Sequence, residues 1–93
     1  MMKNLYKKQA RRFLSKDKSD SAHAKLLVYV ERWKSGDGKT HVWLHKSFEI
    51  HGGLSDEPVY LGEKEIDILE GMFFEYREAI VEAKVVKNAA ENN

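Results

Sequence analysis

Between Leu26 and Leu61 the chain alternates side-chain types with a period of two, and bulky apolar residues fall on both sets of positions. Leu26, Val28, Val30, Val42 and Leu44 make one set, aliphatic and mostly β-branched, suited to packing beneath a helix. Tyr29, Trp33, His41, Trp43 and His45 make the other, with Lys34 and Lys39 beside them. A half-buried antiparallel strand is expected to turn polar residues outward on its second face. Aromatic and basic side chains there need a different reason, and stacking on unpaired nucleic-acid bases supplies one.

The alternation divides into strands. The first runs from Leu26 to Trp33 or Lys34, and Ser35-Gly36-Asp37-Gly38 suits a tight reversal after it. A second strand follows from Thr40 to Lys46 or Ser47, and a third from about Phe48 through His51, with a bend where the alternation slips. Gly52-Gly53 ends it, Leu54–Pro58 forms a loop, and Val59-Tyr60-Leu61 is a short fourth strand with Pro58 at its start. Gly62 then serves as an N-cap for a helix over 63–87, with Glu63, Glu65 and Asp67 where the helix dipole favours negative charge. Ile66, Leu69, Phe73, Tyr76, Ile80 and Ala83 recur at helical spacing, and Ile68, Met72, Ala79 and Val86 widen the apolar sector beyond what one small sheet needs. Gly71 marks a bend or a close crossing, and residues 88–93 should fray.

The resulting fold class is α+β: a curved four-stranded antiparallel sheet followed by one long C-terminal helix, ββββα, with the helix on the aliphatic face and the aromatic face open. The surplus apolar width asks for a second copy, a homodimer formed through the helix, with Ile66, Leu69, Met72, Phe73, Tyr76 and Ile80 as its core and dimer residues. The domain spans 25–87. Ahead of it, residues 1–24 read as a basic, flexible arm that offers the core little beyond Leu5, Phe13 and Leu14; within it, 4–14 suits a short amphipathic helix with Leu5, Ala10 and Leu14 roughly aligned. Residues 1–25 hold eight Lys or Arg against two Asp, whereas the remainder holds eight against thirteen acids, so a net charge of +1 hides a strong asymmetry. Lys7, Lys8, Arg11, Arg12, Lys16 and Lys18 are the arm's candidates for an anionic partner, and 15–24 reads as linker.

Several classes of function find no support. With no cysteine there is neither a disulfide framework nor a thiolate metal site. Histidines 41 and 45 share a strand face, but four residues of extended chain separate their Cα atoms by about 13 Å, too far for one zinc ion. No paired-carboxylate, nucleophile–base or phosphate-loop signature marks an enzyme, and no cofactor or metal is implied. The start of the chain lacks the apolar core of a signal peptide, and no apolar run is long enough to span a membrane. An intracellular setting is expected: cytoplasm or nucleoid for a bacterial or phage protein, nucleus for a eukaryotic one.

Over residues 26–82 the order of elements resembles the positive cofactor four family, transcriptional coactivators that bind single-stranded DNA. The resemblance lies in a first strand ending in Trp33-Lys34, then Lys39 opening K-x-x-V-x-L-x-x-x-F down to Phe48, Gly52-Gly53-Leu54, a short V-x-L strand and a helix. It implies a helix-paired homodimer whose curved sheets form channels for DNA, with Trp33 and Lys34 at the end of strand one, Lys39 at the start of strand two, Phe48 in place of a base-stacking tryptophan, and His45 where the family usually has arginine. The chain departs from the family at Ser55-Asp56-Glu57-Pro58, where a lysine-rich loop is usual, at Glu31, where a basic residue is common, and at Trp43, which replaces an acid and adds stacking surface.

The expected function is non-sequence-specific binding of single-stranded DNA, melted duplex or RNA, in transcription or replication, with partner proteins from either process. Its residues would be Tyr29, Arg32, Trp33, Lys34, Lys39, His41, Trp43, His45, Lys46 and Phe48. The alternatives are that these aromatics simply fill a core, or that the open face meets a polypeptide and the chain is a dimeric adaptor without nucleic-acid binding.

Overall fold

The computed structural model describes residues 2–14, 22–52 and 61–92. Within them the chain forms strand β1 (Met2–Phe13), strand β2 (His23–Lys34), strand β3 (Thr40–His51) and helix α1 (Glu63–Glu91). The strands make one antiparallel sheet in the order β1-β2-β3. The architecture is the expected α+β arrangement of an antiparallel sheet followed by one C-terminal helix. The expected fourth strand and the Ser55–Pro58 loop lie outside the described residues, apart from Leu61, which is in no strand.

Central strand β2 organises the core. Its even positions, Ala24, Leu26, Val28 and Val30, are almost wholly inaccessible to solvent, while the odd positions between them are only half-buried. Ala24 and Leu26 pack with Leu69 and Met72 near the start of α1, and Val28 and Val30 with Ala79 and Ala83 further along. The helix therefore runs along β2 in the same sense. Small Ala79 and Ala83 let its backbone approach the β-branched valines closely, while Leu69 and Met72 fill the wider end. Full burial of a Leu, Val or Met side chain contributes about 1.5–3 kcal/mol each, so this one row and its helical cover carry most of the apolar stabilisation.

Three expectations are corrected. The first concerns residues 1–24. Met2–Phe13 is neither a free arm nor a short helix but a strand paired with β2 from Met2 opposite Trp33 to Phe13 opposite His23, with an irregularity between Asn4 and Tyr6. That irregularity brings both Leu5 and Tyr6 to the core, where Ala10 and Leu14 also pack. The Tyr6 hydroxyl donates to Glu82 Oε2 at 2.7 Å, and Arg12 Nη2 lies 3.4 Å from Glu75 Oε1, so polar side chains also tie β1 to α1. Burial, and then the Glu82 carboxylate, push the Tyr6 hydroxyl up to about 12.

The second correction is that residues 40–51 form one strand, without a break at Phe48. Val42, Leu44, Phe48 and Ile50 stay in one row opposite Arg32, Val30, Leu26 and Ala24. The slip read from the sequence is Lys46, a long exposed side chain opposite Val28 within that row. The third is that α1 continues through Glu91, past the expected frayed end at 88. Ala89 and Ala90 are strong helix formers, and the Lys87–Glu91 ion pair at 2.5 Å spans the last turn. Gly71 is exposed, and no described atom comes within 4 Å of where a Cβ would sit, so it marks no close crossing.

At the β2–β3 reversal the structure agrees with expectation. The Gly38 N–H donates to the Ser35 carbonyl at 3.0 Å, the Ser35 N–H to the Lys39 carbonyl at 2.9 Å, and Gly38 has φ 86°. This is a three-residue hairpin loop closed by a left-handed glycine. Asp37 accepts from the Ser35 hydroxyl and from the Lys39 N–H, and those bonds hold its carboxyl below the usual range.

Because β1 supplies core residues, deletion of residues 1–14 should abolish the cooperative thermal transition seen by circular dichroism. An unchanged transition would show that β1 is dispensable.

Candidate nucleic-acid interface

The register fixes which side chains share the face turned away from α1, because directly opposed residues in an antiparallel sheet point the same way. From one end to the other its rows are Met2–Trp33–His41, Asn4–Glu31–Trp43, Lys7–Tyr29–His45, Gln9–Leu27–Ser47, Arg11–Lys25–Glu49 and Phe13–His23–His51.

Near the hairpin the rings form a contiguous cluster. Trp33 stacks on His41 with centroids 5.2 Å apart and on Trp43 at 6.1 Å, and Tyr29 stacks on His45 at 4.3 Å with ring planes 9° apart. Trp43 meets His45 edge-on at 6.4 Å, which links the two stacks. Trp43 is 46% exposed although it is one of the largest apolar side chains in the protein. His45 Nε2 lies 3.2 Å from Glu31 Oε2 on the diagonal, within ion-pair range but outside hydrogen-bond geometry, and that nitrogen is shielded from water.

The opposite end holds a second cluster. His23 stacks on His51 at 4.9 Å and meets Phe13 at 5.9 Å. Lys25 Nζ and His51 Nε2 lie 3.2 Å and 3.5 Å from Glu49 Oε2, and both, Lys25 foremost, hold the Glu49 carboxyl below the usual range.

Five of the expected site residues are therefore brought together on the open face: Tyr29, Trp33, His41, Trp43 and His45. Three belong to the other row and one to the loop. Arg32, Lys34 and Lys46 are exposed but lie in the helix-side register, and Lys39 sits in the hairpin loop. Phe48 is a clear correction. It faces the helix, stacked on Phe73 at 4.4 Å with planes 7° apart and edge-on to Tyr76 at 5.6 Å, so it closes the core and cannot stack on a base. Its position opposite Leu26 dictates this.

The residues assigned to the arm divide in the same way. Lys7 and Arg11 project onto the open face, whereas Lys8 and Arg12 share the helix-side row, Arg12 beside Glu75. Lys16 and Lys18 lie outside the described residues. Sequence reasoning missed Lys7, Arg11, His23 and His51 as members of this face. For the two histidines the signal was present, since 23 and 51 have the same parity as 29, 33, 41 and 45.

Of the residues assigned to core and dimer, Leu69 and Met72 are buried against the sheet and Tyr76 and Ile80 are packed at its margin. Ile66 and Phe73 are exposed on the flank. The face of α1 turned directly away from the sheet carries Phe74, Val81 and Val85, at 64%, 63% and 65% exposure.

Among the described residues no group of three or more His, Asp or Glu stands close enough to hold a metal ion, and no helix is long and apolar enough to cross a membrane. No family model matches the chain, and neither the curated proteins nor the solved structures include a significant match.

The two sides of the sheet should respond differently to truncation. Phe48→Ala removes a ring sandwiched between sheet and helix and should cost about 2–4 kcal/mol in urea denaturation. Trp43→Ala should cost about 1 kcal/mol or less, the range of a cross-strand ring pair. Equal losses would contradict the assignment of faces.

Proposed function

We propose that this chain is a single-stranded DNA-binding module that works as a homodimer in transcription or replication, in the manner of the positive cofactor four family it resembles. The observation that carries this reading is the Trp33–His41–Trp43 cluster with Tyr29–His45 beside it, on a sheet face that the helix leaves uncovered. Flat rings on a sheet offer platforms to bases that are free of a partner strand, and a duplex hides those base faces. Lys7, Arg11 and Lys25 stand on the same face and can meet phosphates. The long helix offers no groove-reading surface, because its solvent side mixes apolar residues with Glu70, Glu78 and Glu82, which repel phosphates.

Binding should therefore favour single-stranded over matched duplex oligonucleotides at equal salt, with a bubble between them and little discrimination among sequences. Trp33→Ala should weaken it by about 1–3 kcal/mol, the range for loss of a stacking aromatic. Equal or tighter binding to duplex would overturn this reading and favour a polypeptide as the partner of the open face.

Self-association is supported by the outward stripe of α1. Phe74, Val81 and Val85 follow one another at spacings of seven and four, the repeat of a helix–helix seam. Arg77 and Lys84 line one flank of the stripe, and Glu78 and Glu82 lie along the other. Parallel side-by-side pairing sets the basic flank of one copy against the acidic flank of the other, whereas antiparallel pairing opposes like charges. Light scattering at micromolar concentration should give a dimer mass, and Phe74→Glu with Val81→Glu a monomer mass. A monomer for the unaltered protein would sink the proposal.

A further inference from the structure

All four histidines of the chain lie on the open sheet face: His41 and His45 in the Trp33 cluster, and His23 and His51 at the far end. With imidazoles neutral, that face is poor in charge for a polyanion site. It holds three cations, Lys7, Arg11 and Lys25, against two carboxylates, Glu31 and Glu49, and Lys25 is already engaged by Glu49 at 3.2 Å. The lysines and arginines expected to serve the site stand in the helix-side row or the hairpin loop instead. From this placement we infer that the four histidines, when protonated, supply most of the positive charge that holds phosphates to this face, so that the site runs the whole length of the sheet and grips a single strand in proportion to its proton uptake. The inference rests on the function proposed above and deepens it.

The chemistry favours histidine in this role. Imidazole is the side chain that gains a full charge between pH 8 and 5, where carboxylates of ordinary acidity and phosphodiesters keep theirs. A protonated ring also keeps a flat face, so one residue offers a base both a platform and a cation. Each histidine already stacks on a ring from a neighbouring strand: His41 on Trp33, His45 on Tyr29 and His23 on His51.

The charged neighbours differ between the two ends. His45 has Glu31 at 3.2 Å and Lys7 in its row, His41 has Asp37 of the hairpin loop within electrostatic reach, and at the end of α1 Lys87 and Glu91 line the grooves beside His45 and His41. His51 has Glu49 at 3.5 Å, and His23, which faces Phe13 and His51, has Arg11 and Lys25 in the adjoining row. Carboxylates thus stand near three of the four rings.

The test uses the full chain and a fluorescently labelled oligothymidylate, whose bases do not titrate in this range. Affinity is measured across a salt series at about pH 8 and about pH 5.5. Acidification should tighten binding by about tenfold or more, and the salt slope should steepen by about 3, since each phosphate neutralised on a single strand contributes about 0.7 and four histidines gain charge. His41→Gln with His45→Gln, and separately His23→Gln with His51→Gln, should each reduce the ratio of the affinities at the two pH values; the first pair should also weaken binding at pH 8, since His41 and His45 belong to the stacking cluster. The quadruple variant should flatten the pH response. Normal binding at pH 8 with no change in affinity or slope on acidification would overturn the inference and leave the proposed function standing. No binding at either pH would remove both. A gain lost in the His41/His45 variant and untouched in the His23/His51 variant would confine the site to the hairpin end and overturn its extension along the sheet. If the quadruple variant loses its thermal transition, the two double variants decide.

Discussion

Everything in this molecule hangs on the burial of one face of β2. Ala24, Leu26, Val28 and Val30 are sealed between β1 and β3 at the sides and α1 above. No buried polar or charged side chain is present among the described core residues, so the contact of β2 with α1 is purely apolar, and the polar ties of β1 to α1 lie at its margin. Orientation comes instead from size, with Ala79 and Ala83 against the valines and Leu69 and Met72 against the wider end. Once that face is fixed, a period of two leaves no choice about what the other face presents. The ring cluster is exposed because the valines are buried.

Where the apolar pattern was strong, the sequence foretold the structure. The aliphatic row of β2, the hairpin at Ser35–Lys39, the start of α1 after Gly62 and the uncovered Tyr29–Trp33–Trp43 face all follow from alternation and turn chemistry. Where a residue's neighbour decided its role, the sequence was less informative. Phe48 resembles a stacking aromatic in isolation, and only its pairing with Leu26 turns it towards Phe73. Strand β1 read as a short helix within a flexible arm for a related reason. Its core positions are shared among Leu5, Tyr6, Ala10 and Leu14, Lys8 and Arg12 occupy the same row, and an irregularity at Leu5 breaks the period. A strand that covers one side of a neighbour needs fewer apolar residues than a central one, so its pattern is weaker.

The two proposed tasks fall on opposite sides of a thin body, 16 Å in its smallest dimension. Nucleic acid would meet the sheet, and a second copy would meet the outward stripe of α1. Neither surface shares a residue with the other, so pairing leaves both ring faces of a dimer open. It also sets two sheets back to back at the outside of the assembly, each able to take its own length of single strand.

Strand β1 has one further consequence. Its outer margin, twelve residues long, has no strand beside it among the described residues, and such a margin is a template on which another chain can add itself. Five of those twelve residues are Lys3, Lys7, Lys8, Arg11 and Arg12, and none is acidic. Two such margins brought together would oppose like charges along their whole length. The basic composition that makes this segment look like a tail thus acts as a guard: it opposes edge-to-edge pairing of two β1 margins, the first step by which a sheet grows from that side.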